Sequence, residues 1–143
     1  MNEMERISSK MNFLVIGGQT GCGKTILLNK FDNSLDLEGY ANHRGSAFGN
    51  NVTPQPKQID FENHLIVDLI KKEYYENLLI EDEGNNIGTI FIPEVIKVKA
   101  RESKIIILRA SIEERIQISN KKHRVIYEGN FHEVTNFLQG LKS

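Results

Sequence analysis

One cysteine, Cys22, excludes an internal disulfide, and its place inside a glycine-rich run suits a reducing cytoplasm. No apolar stretch approaches the roughly 20 residues of a membrane span. The opening MNEMERISSK has no apolar signal region, so residues 1–10 are expected to be a disordered segment of a cytoplasmic protein. Charge of one sign is also missing. With 18 basic and 19 acidic residues the net charge is −1, which excludes whole-molecule attraction to nucleic acid. RNA contact would need a local patch, and Lys121, Lys122, His123 and Arg124 form a modest one that a solvated helix end explains equally well. There is no repeat, linker or low-complexity tract, so residues 11–143 read as one domain large enough to bury its own core.

What the chain does have is Phe13 to Thr25, FLVIGGQTGCGKT. A short β-rich run passes into Gly18-Gln19-Thr20-Gly21-Cys22-Gly23-Lys24-Thr25, which fits G-x-x-x-x-G-K-[ST], the phosphate-binding loop. Ile26, Leu27, Leu28 and Phe31 then recur at helical spacing, so a helix over about 23–31 is expected and the strand, loop and helix order is complete. Glycines let backbone N–H groups converge on an oxyanion, aided by the positive end of the following helix. Lys24 neutralises a terminal phosphate in such a loop, and Thr25 supplies a hydroxyl for Mg²⁺. Cys22, at a helix N-terminus, is either a thiol of lowered pKa or a small residue tolerated at a variable position.

Strands are expected near 13–17, 35–37, 77–81, 105–108 and 124–127, alternating with helices. That alternation implies a parallel sheet with right-handed crossovers. Asp36, ending the second strand, is a candidate to organise Mg²⁺ or simply a capping carboxylate. Residues 40–58 are irregular and rich in Gly, Asn, Pro and Gln, a composition that in a compact domain marks a functional loop. Within them His43, Arg44 and Ser46 offer a titratable ring, a phosphate clamp and a hydroxyl, or else a solvated loop. A helix over 57–72 has Phe61, Leu65, Ile66, Leu69 and Ile70 as its apolar face, with Asp60, His64 and Asp68 opposite and Glu62 near the apolar side. The run Leu78-Leu79-Ile80 ends in Glu81, Asp82 and Glu83, where phosphate-loop proteins place the acid that orients Mg²⁺, so Glu81 and Asp82 are metal candidates.

Gly84 to Gly88 turns the chain, and Pro93 suits the first turn of a helix to about Ala100, although the alternation at 95–99 also fits a strand. Arg109 follows the buried strand KIIIL at the edge where ligands of open α/β sheets gather. Ser111-Ile112-Glu113-Glu114 is a capping box for a helix to about Lys122 that carries Arg115. Asn130 caps a last helix with Val134, Phe137, Leu138 and Leu141 facing inward.

In order, GGQTGCGKT, DLEGYANHRGSAFG, QPKQIDFEN, LLIEDEGNNIG and the Ile-Pro-Glu near residue 93 form a series that resembles the P-loop domain of tRNA 2-selenouridine synthases. The resemblance covers nearly everything after Ser9 and rests most on HRGSAFG. It implies a P-loop NTPase-like, kinase-like three-layer α/β fold with five parallel strands in the order 2-3-1-4-5. It also implies a bifunctional transferase. Such an enzyme moves a geranyl group from geranyl diphosphate to the sulfur of wobble 2-thiouridine in tRNA, then exchanges the geranylthio group for selenium from selenophosphate. On that reading Gly18 to Thr25 hold the allylic diphosphate. Lys24, Thr25 and Mg²⁺ stabilise the departing pyrophosphate, and His43 and Arg44 line the leaving group or the uridine.

The sequence departs from the family pattern in three ways. The family's rhodanese-like domain with its essential cysteine is not found, so a separate rhodanese-domain partner chain is expected. The long helical segment between the Arg115 helix and the last strand is nearly missing, and a usual basic residue before Ile87-Gly88 is Asn85 or Asn86. Two other readings use the same loop: a small-molecule kinase or NTPase binding ATP or GTP, with Arg109 and Arg115 as lid-like residues, or a non-catalytic phosphate-binding module.

Overall fold

In the computed structural model the described residues are 2–19, 22–42, 54–82, 84–110 and 122–142. Strand β1 (Asn12–Gly17) is the spine of the sheet. It pairs in parallel with β2 (Asn77–Glu81) on one side and β5 (Lys104–Leu108) on the other, and β5 pairs in parallel with β6 (Val125–Gly129). The order is β2-β1-β5-β6. Four of the expected strands therefore lie in the expected order.

The fifth is reduced to one parallel bridge, Ser34 to Leu79, on the outer edge of β2. The backbones join there through Leu35 N to Leu79 O at 2.9 Å and Leu79 N to Asn33 O at 2.8 Å. The chain then leaves the sheet because the Asp36 carboxylate accepts from Gly39 N at 3.0 Å and starts the short helix α3 (Leu37–Tyr40).

Both faces of the sheet are covered, as the continuous apolar strands require. Alternate residues of each strand point to opposite sides. Phe13, Val15, Leu78, Ile80, Ile105 and Ile107 join one cluster with α4 (Gln58–Lys71) and α5 (Glu94–Glu102), whereas Leu14, Ile16, Leu79, Ile106 and Leu108 join the other with α2 (Lys24–Leu28) and α6 (Phe131–Lys142). Three layers result. Asn130 and Glu133 cap α6 reciprocally, each side chain accepting from the other's backbone N–H at 2.9 Å.

Several expectations are corrected. Residues 1–10 are not a disordered segment: α1 (Glu3–Ser8) is capped by Asn2, and Met4 and Ile7, three apart, are buried against the sheet-covering helices α4 and α5. Helix α2 is regular only to Leu28, shorter than the expected span to Phe31. The alternation at 95–99 is helical, since Pro93 holds the N-cap position and Ile96 is buried while Val98 is exposed. On α4 Phe61, Leu65 and Leu69 are buried as expected, but Ile70 is exposed; on α6 Leu141, in the last turn, is exposed too. Arg115 and the capping box at residue 111 lie outside the described residues, whose next element is the 3₁₀ turn Lys122–Arg124.

Residues Asn86–Ile87 (β3) and Ile90–Phe91 (β4) form a small antiparallel hairpin. Its turn needs glycine at Gly88, with φ of +60° and the Gln55 Oε1 atom only 2.2 Å from where a Cβ would lie. Two glutamines hold this hairpin. Gln58 donates to Phe91 O at 2.8 Å and accepts from Phe91 N at 2.9 Å. Gln55 donates to Ala41 O at 3.0 Å and Ile87 O at 2.9 Å, and accepts from Thr89 N at 2.8 Å and Thr89 Oγ1 at 3.0 Å. Replacing Gln55 by Glu removes both donors and leaves two carbonyls facing a carboxylate. A loss of about 1–3 kcal/mol in a urea unfolding curve is expected, against less than that for Gln55→Ala, which leaves room for water.

Candidate functional site

The parallel registers bring one end of every strand to a common edge, with Ile16 opposite Glu81, Gly17 opposite Ile107, and Leu108 opposite Gly129. The phosphate loop rises from that edge. Gly18 has φ of +153°, and a Cβ there would lie 2.5 Å from the backbone oxygen of Leu108 and 2.8 Å from Cys22 Sγ. Gly23 has φ of +100° and leads into α2. Neither position accepts a side chain. Cys22 is buried beneath the loop, and its N–H donates to Gln19 O at 3.2 Å.

Lys24 is half-buried, and its ammonium donates to Gly18 O at 3.0 Å, so the charge lies back across the loop that it serves. Thr25 Oγ1 donates to Glu81 Oε1 at 3.1 Å. That bond joins the last residue of the loop to the end of the neighbouring strand. Asp82 follows with its N–H donating to Ile16 O at 3.1 Å. Hydroxyl and carboxylate oxygens are hard donors of the kind that Mg²⁺ takes, so the chemistry of Thr25 and Glu81, with Asp82 beside them, fits that ion. Asp36 is differently employed. It ends no strand, and its carboxylate caps α3.

Arg109 continues β5, donating its N–H to Gly129 O at 2.9 Å, with its guanidinium 3.5 Å from the Glu128 carboxylate. Glu62 is half-buried on α4 and does not line the cavity described next. Thr20, Gly21, His43, Arg44 and Ser46 lie outside the described residues. The flanks of the segment carrying the last three are joined, however: Asn42 donates to Pro54 O at 3.0 Å, beside the Gln55 to Ala41 bond. Of the basic cluster, Arg124 donates to Ala100 O and Ser103 O, both at 3.0 Å, and so closes the end of α5. On α4, His64 stacks on the ring of Tyr40, whose hydroxyl donates to Asp68, and Lys72 donates to Asp68 at 3.0 Å. Among the described residues no group of three or more His, Cys, Asp or Glu is placed to hold a metal.

A cavity of about 230 Å³ opens beside Glu81 and Asp82 and runs between α5 and the sheet. Its walls are Val15, Leu37, Ile80, Ile92, Ile96 and Ala100. Sequence reasoning did not find it, because those positions read only as core. It also missed the Gln55 and Gln58 clasp and the ring of Phe131, which lies 3.6 Å from where a Gly23 Cβ would be.

Residues 11–143 match the family described as the tRNA 2-selenouridine synthase AAA domain. The chain belongs to that family. It is 42% identical over 144 residues to a tRNA 2-selenouridine synthase of Sulfurovum sp., covering 94% of this chain and 40% of the relative. It is 41% identical over 118 residues to the Psychromonas ingrahamii protein of the same name, covering 82% and 32%. With that of Marinobacter nauticus it shares 47% over 108 residues, covering 74% and 29%. The chain thus spans two fifths or less of the length of these relatives. No solved structure matches it. No helix among the described residues is long and apolar enough to cross a membrane.

The crowding at Gly18 gives a direct expectation for the loop. Gly18→Ala sets a methyl against backbone, which cannot yield as a side chain can, so it should abolish binding of inorganic pyrophosphate in a calorimetric titration. Cys22→Ala, which removes a neighbour instead of adding one, should retain it.

Proposed function

We propose that this chain is the diphosphate-binding part of a tRNA 2-selenouridine synthase system, taking geranyl diphosphate and acting on the wobble 2-thiouridine of tRNA in the cytoplasm. The observation that carries the reading is the Thr25 to Glu81 hydrogen bond at 3.1 Å beneath a loop whose lysine lies half-buried across it. In geranyl transfer the C1–O bond of the allylic diphosphate breaks with its electron pair leaving on the diphosphate. The 2-thio sulfur forms the new bond to C1, and the uridine N3 proton is lost. The principal demand on the protein is to receive that leaving group. Loop N–H groups and Lys24 bind it as charge builds on its oxygens. Thr25 and Glu81, with Asp82, would hold Mg²⁺, which supplies further charge neutralisation when bound. His43 and Arg44 serve the same leaving group or the base. The second reaction, exchange of the geranylthio group for selenium from selenophosphate, is assigned to joint action with a rhodanese-domain partner.

Removing the ammonium removes a charge-assisted contact worth about 1.5–3 kcal/mol, or roughly 10- to 100-fold in affinity. Lys24→Ala should weaken geranyl diphosphate binding by that factor in a calorimetric titration with Mg²⁺ and abolish geranylation of a thiolated tRNA, with the circular dichroism spectrum unchanged. Undiminished geranylation would overturn the assignment. Lys24-dependent binding of ATP but not of geranyl diphosphate would make the chain a kinase or NTPase, and binding of neither would make it a non-catalytic module.

A further inference from the structure

The cavity beneath α5 has a property that a phosphate site does not need. Its mouth is at Glu81 and Asp82, beside the loop, while its walls of Val15, Leu37, Ile80, Ile92, Ile96 and Ala100 are hydrocarbon. The cations near its rim are directed elsewhere. Lys97 and Arg101 reach back to Glu94 at 3.0 and 3.4 Å, and Arg124 is tied to the carbonyls ending α5. An anion therefore finds its partners at the mouth and none of them inside. Apolar cavities of this kind bind apolar groups: one of about 150 Å³ takes a benzene ring. By that measure 230 Å³ takes roughly nine carbons.

We infer that this cavity receives the hydrocarbon chain of the diphosphate ester whose phosphates rest on the Gly18–Thr25 loop, and that Ile96 and Ala100 set how long a chain is accepted. The inference rests on reading the loop as a prenyl diphosphate site. Glu81 is the element common to both parts, since it receives the Thr25 hydroxyl and also forms the cavity mouth. The reacting carbon then lies at the boundary between the charged loop and the apolar cavity, and the remainder of a ten-carbon chain fills the space behind it. Ala100 is the small residue of the wall, half-buried, so a larger side chain there subtracts volume without removing existing packing. Ile96, wholly buried and facing the same space, is the residue whose truncation adds volume.

The test compares geranyl diphosphate, farnesyl diphosphate and inorganic pyrophosphate by calorimetry on the full chain, as wild type, Ala100→Leu, Ala100→Phe and Ile96→Ala. Each pair of methylene groups left in water costs roughly tenfold in affinity. Wild type is expected to prefer geranyl diphosphate over pyrophosphate by at least tenfold. Ala100→Leu should reduce that preference and Ala100→Phe erase it, both with pyrophosphate affinity unchanged, and Ile96→Ala should move the preference toward farnesyl diphosphate. If wild type shows the preference and the Ala100 variants keep it while pyrophosphate still binds, the cavity assignment is wrong and the diphosphate reading stands. If wild type binds pyrophosphate but does not distinguish geranyl diphosphate from it, both are wrong.

Discussion

The hydrogen bond from Thr25 to Glu81 is the contact on which the site depends, and it exists only because β1 and β2 run in parallel in one register. With Ile16 opposite Glu81, the carboxylate ends its strand at the level where the neighbouring strand turns into the loop. A slip of one residue would turn Glu81 to the other face of the sheet and put an aliphatic side chain beneath the loop. The register is fixed in turn by burial. Leu78 and Ile80 must enter one apolar cluster and Leu79 the other, and no shifted pairing satisfies both. Hydrophobic patterning over five residues thus fixes the position of one carboxylate to within the reach of a hydrogen bond.

The same logic explains why the loop tolerates so little. A β-strand that ends against its neighbour leaves the next residue pressed onto backbone, and Gly18 meets the carbonyl of Leu108 there. Glycine is required by space at that position as well as by conformation. Lys24 turns its charge toward the loop because a half-buried ammonium must be solvated by something, and the Gly18 carbonyl supplies that.

Much of this was legible in the residues, and the rest was not for identifiable reasons. The loop, the four main strands and the acid at the end of β2 are local signals, since a motif of fixed spacing and short β-branched runs need no knowledge of the rest of the chain. Asp36 failed as a strand end because its carboxylate competes for the backbone N–H of Gly39, a contest between a capping bond and one more sheet residue that composition does not decide. The helix at the N-terminus was hidden because its signal is only two apolar residues, Met4 and Ile7, whose worth depends on a surface formed by α4 and α5 far along the chain. The cavity was illegible for a different reason. Leu37, Ile80, Ile92 and Ile96 are apolar whether they touch one another or line a space, and only their tertiary arrangement distinguishes the two.

Gln55 shows how a polar residue can organise a region that has little core of its own. A carboxamide has two donors and one oxygen with two lone pairs, and Gln55 uses all four, on the end of α3, on β3 and on Thr89 in the turn of the hairpin. No apolar side chain could satisfy those backbone groups, and a carboxylate or an ammonium would satisfy only half of them. The hairpin is two residues per strand and too short to persist alone. It is held instead by borrowed hydrogen bonds, from Gln55 at its turn and from Gln58 at Phe91. The consequence reaches the cavity. Ile92, which continues β4 through its N–H to Asn85 O at 3.0 Å, is one of the cavity's walls, so the two glutamines position part of an apolar surface that they do not themselves line.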